Sequence, residues 1–179
     1  MELEDLLSDF NILSTTSRGN ERLMVFELSH MLKTIGDPSP IVVKTGIRGL
    51  IAAKTTLNPF DVISTFRKIL SEKPYEFRFA LRILPIEKVV NTDIDEIRRG
   101  AAELSTGIAE NETFRVTVEK RYCTFHSRDL IDATATSIQR KADMNNPDKI
   151  LLIEVMGGLT GMSLIKPNDV LSVMKEKML

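Results

Sequence analysis

Lys120-Arg121 and His126-Ser127-Arg128 come closest to a binding chemistry in this chain. A strand that ends on two cations, followed by a helix that begins beside a third, joins side-chain charge to the unpaired N–H groups of a helix start. Those are the parts of an anion or phosphate site. Lys141 and Lys149 flank the turn at the other end of the same helix, and Arg78 and Arg82 share the solvent side of a strand. These nine positions are the candidate RNA contacts: Arg78, Arg82, Lys120, Arg121, His126, Ser127, Arg128, Lys141 and Lys149. Taken singly, each is also an ordinary solvated charge.

Other motifs carry less chemistry. Cys123-x-x-His126 is an isolated pair: zinc wants four ligands, and a catalytic dyad wants a third, positioning group. No catalytic residue, no metal ligand and no cofactor is therefore expected. Gly46-Ile47-Arg48-Gly49 has the GXXG spelling of an RNA-binding loop that must lie between two helices. Here it lies between two strand-like runs and reads as a hairpin turn. Lys44-Thr45-Gly46 has no Ser-x-x-Lys nucleophile to accompany it. Gly157-Gly158-Leu159-Thr160-Gly161 follows a strand but lacks the Gly-Lys-Ser/Thr of a phosphate loop and reads as a turn.

Composition narrows the classes. The chain has 179 residues, 42% of them hydrophobic, which suits one ordinary domain or two small ones and excludes a disordered chain. One cysteine rules out an intramolecular disulfide framework. No apolar run approaches the roughly 18–20 residues that span a membrane, and the start, Met1-Glu2-Leu3-Glu4-Asp5, is acidic where a signal peptide is basic. The reading is a soluble, intracellular, cytoplasmic protein. Net charge is −1, with 9 basic and 9 acidic residues up to Lys73 and 15 and 16 after it, so a nucleic-acid site has to be a local patch.

The elements that must position these residues follow from periodicity. Phe10–Thr15 reads as a strand, and Leu23, Phe26, Leu28, Met31, Leu32 and Ile35 as the stripe of a helix. Ile41–Lys44 and Leu50–Ala53 form a hairpin. Asn58 caps a second helix with Pro59 at its first position and Val62, Ile63, Phe66, Ile69 and Leu70 on its apolar face. Glu76–Leu84 alternates: Phe77, Phe79, Leu81 and Ile83 on one face, Arg78, Ala80 and Arg82 on the other. The order β-α-β-β-α-β is that of a ferredoxin-like domain, whose sixth element either closes it or links it onward. Beyond a boundary at Lys73–Pro74, Asn91-Thr92-Asp93 caps a helix through Leu104, and Phe114, Val116 and Val118 alternate as a strand. Ser127 caps a long helix reaching Ala142. Ile150–Val155 is a central strand, and Thr160–Lys166 returns beside it. Asn168 caps a short terminal helix. The fold class is thus α+β / α/β: an N-terminal ferredoxin-like βαββα(β) domain over residues 1–73, then an α/β domain over 74–179.

The second part resembles the THUMP domain of tRNA-modification enzymes. The resemblance is carried by Thr113–Arg121, by His126-Ser127-Arg128-Asp129 opening a helix, by Asn146-Pro147-Asp148 before the strand Ile150–Val155, and by Met162-Ser163-Leu164-Ile165. Arg78–Ile86 looks like the segment leading into THUMP in the adaptors for tRNA cytidine acetylation. Met162–Lys166 looks closer to those adaptors than to thiouridine synthetases. Thr15–Glu21 resembles the first turn of the ferredoxin-like domain that precedes THUMP. The PP-loop Ser-Gly-Gly-x-Asp-Ser of the synthetases is absent, Asn146-Pro147-Asp148 is not the methyltransferase motif, and no residues remain for such a domain. The resemblance implies a non-catalytic adaptor. It would hold the acceptor stem and single-stranded 3′ end of tRNA and present them to a separate enzyme, an acetyltransferase using acetyl-CoA and ATP.

Two other classes stay open. An enzyme would have to work from the Cys123–His126 pair. A ferredoxin-like regulatory or interaction domain would bind a small molecule or a protein without RNA.

Overall fold

The computed structural model describes residues 8–178, so the acidic start, Met1–Asp5, lies outside it. The described chain divides into two compact units. One runs up to Ile86 and takes in the chain again from Asp169; the other is Glu87–Asn168.

The first unit is built from β1 (Ile12–Thr15), α1 (Glu21–Thr34), β2 (Ile41–Lys44), β3 (Leu50–Lys54), α2 (Pro59–Glu72) and β4 (Arg82–Pro85). Its antiparallel sheet places β3 between β1 and β2, and β4 on the other side of β1. That insertion is the split βαβ arrangement, and the unit is ferredoxin-like as expected. The expected cap of α2 is present: Asn58 Oδ1 accepts from the N–H groups of Phe60 (2.9 Å) and Asp61 (3.3 Å), with Pro59 inside the first turn. Both helices lay an apolar face on the sheet. Met24, Leu28 and Leu32 from α1 and Val62, Ile63 and Phe66 from α2 meet Ile12, Ile51 and Ile83.

Two expectations need correction here. The buried stripe of α1 is Met24, Leu28, Met31 and Leu32, whereas Leu23 and Phe26 are exposed. The strand expected over Glu76–Leu84 is confined to Arg82–Pro85, after a 3-10 turn at Pro74–Glu76. The cause is Glu27 of α1, whose carboxylate accepts the N–H groups of Arg78 (2.6 Å), Phe79 (3.1 Å) and Ala80 (2.9 Å) and so removes them from any ladder. Phe77 and Ala80 are then both buried, a spacing of three that departs from the alternation of a strand with one solvated face.

The boundary also moves. The units part at Ile86–Glu87 rather than at Lys73–Pro74, and the chain's last segment rejoins the first unit. There Leu171–Ser172 forms β10, pairing with β4, and α5 (Val173–Lys177) follows. Leu171 and Val173 enter the first core because both are apolar and buried. Asn168 lies in a 3-10 turn, and Ser172, not Asn168, precedes the helix. Arg67 on α2 anchors this return through Glu176 (2.7 Å) and the Val170 carbonyl (3.1 Å).

The second unit contains β5 (Lys88–Asn91), α3 (Ile94–Ser105), β6 (Thr113–Arg121), α4 (Ser127–Ala135), β7 (Lys141–Ala142), β8 (Lys149–Met156) and β9 (Leu159–Ile165). The sheet order is β5-β9-β8-β6-β7, with β6 parallel to both β8 and β7 and the other pairs antiparallel. The nearly continuous apolar run is the central strand β8, with every residue from Ile150 to Met156 buried. Leu151, Ile153 and Val155 pack with Ile97 and Ala101 of α3 and Leu130 of α4. The long helix expected to reach Ala142 stops at Ala135, because Lys141–Ala142 pairs with Thr113–Phe114 at the sheet edge.

Asp37 gives the first unit a testable pH dependence. Its carboxylate is buried and accepts from Thr55 Oγ1 (2.6 Å), Ser39 N (3.1 Å) and Thr56 N (3.1 Å). Burial raises its pKa, but these hydrogen bonds outweigh it and the net shift is downward. A depressed carboxylate pKa stabilises the fold above the unfolded value and loses that contribution as pH falls through the folded one. Urea unfolding of Asp37→Asn should show lower stability at pH 7. The gap to the wild type should narrow as the pH drops below about 4, near the ordinary aspartate range.

Candidate nucleic-acid interface

The expected contacts separate into three places. Lys120, Arg121, His126, Ser127 and Arg128 gather where β6 ends and α4 begins. Lys141 and Lys149 lie at the opposite end of the strands of the same sheet, since Lys141 pairs with Thr113 and Lys149 with Phe114 at the start of β6. Seven to eight steps of strand at ~3.3 Å each put about 25 Å between the two groups. Arg78 and Arg82 belong to the first unit. Arg78 is exposed in the segment held by Glu27, and Arg82 opens β4, its N–H on Thr15 Oγ1.

The cations at the end of β6 are not equivalent. Arg121 Nη1 lies 3.0 Å from Glu154 Oε2, and the Glu154 side chain is 0% exposed against 23% for Arg121. Arg121 is thus committed to a buried carboxylate. Lys120 is exposed and its Nζ donates to the Phe125 carbonyl (2.9 Å), which ties down the 122–126 connection. Arg128 is 90% exposed and only 3.9 Å from Asp132, one helical turn on. His126, not Ser127, is the N-cap of α4. It is exposed, and no side chain caps the helix. The first turn of α4 therefore leaves N–H groups for solvent or an anion, beside the imidazole of His126 and the guanidinium of Arg128.

Lys149 is also committed. Its Nζ sits 3.3 Å from Glu112 and donates to the Gly107 carbonyl (3.1 Å). The Glu112 carboxyl is held below its ordinary range, first by the Ala109 N–H it accepts and further by Lys149. Cys123 is partly buried against the second core, with Sγ 3.9 Å from the Phe125 carbonyl. Among the described residues, no group of three His, Cys, Asp or Glu could hold a metal ion, and no helix is long and apolar enough to cross a membrane.

Tyr122 was not among the expected contacts. It follows Arg121 with φ of 53°, in the left-handed region, and is 79% exposed. No periodicity marks it, because it is the residue at which the β6 alternation ends.

Comparison with known proteins meets this geometry in the second unit. Residues 91–165 match the family model of the THUMP domain. The chain contains a THUMP domain. The uncharacterized protein MJ0421 of Methanocaldococcus jannaschii is 28% identical over 167 residues, which cover 90% of this chain and 42% of that protein. The crystal structure of PH1313 from Pyrococcus horikoshii OT3 superposes with a TM-score of 0.68 at 18% identity, over 88% of this chain and 55% of that one. A 4-thiouridine synthetase solved as an RNA complex with bound ATP superposes at 0.53 and 15% identity, over 88% and 41%. At these identities the likeness to solved structures is one of fold. The chain spans about half, or less, of the length of each of these proteins. The match falls within the compact unit Glu87–Asn168, so β6, α4 and the cations between them belong to the THUMP domain.

The Arg121–Glu154 pair yields a prediction. Arg121→Ala leaves a buried carboxylate without its cation and should cost on the order of 3 kcal/mol in urea unfolding. In a Glu154→Gln background the same substitution should cost much less, and a double-mutant cycle reads the difference.

Proposed function

We propose that this chain is a tRNA-binding module without chemistry of its own. It holds the acceptor stem and single-stranded 3′ end and presents them to a separate modification enzyme, a tRNA cytidine acetyltransferase, in the cytoplasm. The observation that carries the reading is the uncapped start of α4 inside the THUMP domain, with Lys120, His126 and Arg128 exposed around it. An uncapped helix start and three exposed basic side chains suit phosphates, and they demand no base sequence. A fold shared with a synthetase solved in complex with RNA supports the nucleic-acid part of the reading. The acetyltransferase rests on the resemblance of Arg78–Ile86 and Met162–Lys166 to acetylation adaptors. The non-catalytic part rests on Cys123, which packs against the core and touches the Phe125 carbonyl instead of forming a hydrogen-bonded dyad with His126.

The test is a gel-shift titration of intact tRNA and of tRNA lacking its single-stranded 3′ end, at two salt concentrations. Binding should need the 3′ end and weaken steeply with salt. Lys120→Ala with Arg128→Ala should weaken it further and make the slope of log affinity against log salt shallower by about two, one for each phosphate that the variant no longer neutralises. The melting temperature should stay within a few degrees of wild type, as both side chains are exposed and the variant loses only the exposed hydrogen bond from Lys120 to the Phe125 carbonyl. Affinity that is insensitive to salt, or equal for the two tRNAs, removes the reading.

A further inference from the structure

A second cationic site lies in the ferredoxin-like unit, in an open cavity of about 660 Å³ lined by Arg18, Arg22, Lys44 and Arg48 around Glu21. The four cations come from separate pieces of chain: the turn after β1, the first turn of α1, the end of β2 and the β2–β3 loop. Local sequence does not bring them together; one carboxylate does. Glu21 accepts the Gly19 N–H at 2.9 Å with one oxygen and the Gly49 N–H at 2.8 Å with the other, pinning the turn that carries Arg18 to the loop that carries Arg48. Gly49 completes the junction. It has φ of 78°, and a Cβ there would lie 2.8 Å from the Thr16 carbonyl oxygen, so only glycine lets the two segments approach.

The charge balance of this cavity is unusual for the chain. Net charge overall is −1, yet here four cations face a single carboxylate already occupied by two N–H groups. Like charges held in one concavity repel, and an anion entering it relieves that repulsion. Beside the cavity, the Arg22 guanidinium lies 5.9 Å from the centre of the Phe26 ring, which is 61% exposed. An exposed ring next to a phosphate site is a surface on which a base can stack.

We propose that this cavity binds a terminal phosphomonoester, carried by the phosphorylated end of an RNA or by a free nucleotide. A monoester bears close to two negative charges at pH 7 where a backbone diester bears one, so four converging cations favour the monoester. A concavity also admits the end of a chain more readily than its middle. In the RNA case the inference rests on the RNA reading above; in the nucleotide case it stands without it.

The experiment uses the full chain. Fluorescence anisotropy compares RNAs of one sequence ending in a 5′-phosphate, a 3′-phosphate or hydroxyls only, and calorimetry measures AMP and inorganic phosphate. One phosphorylated RNA should bind at least about tenfold tighter than the hydroxyl form at pH 7.5. The preference should shrink toward pH 5 as the phosphate gains a proton near pH 6. Arg18→Ala with Arg48→Ala should erase the preference, while Lys120→Ala with Arg128→Ala should lower affinity for all three RNAs alike. AMP binding that disappears in the Arg18/Arg48 variant, with no RNA preference, identifies the free nucleotide as the source and supports the site. Binding of AMP with no RNA binding at all leaves the cavity standing and removes the RNA reading. Equal affinity for the three RNAs, with neither AMP nor phosphate bound, overturns the cavity and leaves the RNA reading intact.

Discussion

A carboxylate buried in the central strand sets the terms for the second unit. Glu154 lies on β8, where every side chain from Ile150 to Met156 is buried, and its own exposure is zero. A carboxylate at such a site is balanced by a cation, because an unpaired buried charge costs several kcal/mol. The register decides which one. Glu154 sits opposite Glu119 on β6, and Arg121, two residues further along the same face, reaches back to it. The Gly157 N–H donates to the Arg121 carbonyl at 2.8 Å, so the same residue also fixes the turn leaving β8. The end of β6 is thereby held by side chain and backbone together, and with it the positions of Lys120, Tyr122 and the start of α4.

Parallel pairing of β6 with β8 explains why the exposed cations fall where they do. Two parallel neighbours need a crossover, and residues 122–148 supply it through α4 and the edge strand β7. Such a crossover starts at the carboxyl end of the first strand, so strand end and helix start meet at one end of the strands, the usual place for ligands in α/β sheets. Lys120, His126 and Arg128 are there because the chain must turn there. Lys141 and Lys149 sit where the crossover re-enters the sheet, which necessarily is the other end of the strands.

Where sequence and structure agree, the signal is local or periodic. The alternation of β6, the apolar run of β8 and the Asn58-Pro59 start of α2 all survive folding unchanged, because each is decided within a few residues. Where they disagree, a partner distant in sequence intervenes. Glu27 takes three N–H groups more than fifty residues away and shortens a strand whose alternation looked secure. Glu154 takes Arg121 from 33 residues away, so a cation read from the sequence as a phosphate contact is already paired with a buried carboxylate. The return of Leu171 and Val173 to the first core was illegible for the same reason: a two-residue strand has no period to read.

The legibility of the two cationic sites differs in the same way. The THUMP cations lie within nine residues of one another, so adjacency in sequence stood in for adjacency in space. Arg18, Arg22, Lys44 and Arg48 span thirty residues and converge only because β3 is inserted between β1 and β2, which lays the β2–β3 loop against the turn after β1. A near-neutral chain can therefore carry dense positive charge in two places, and its total charge is silent about both. Such a chain gains little from long-range attraction to a polyanion, because its far field is small. Its affinity has to arise at contact, where short distances and lower effective dielectric strengthen each pair. That favours recognition of shape and chain ends over indiscriminate coating of nucleic acid, and it makes the placement of a few side chains matter more than their number.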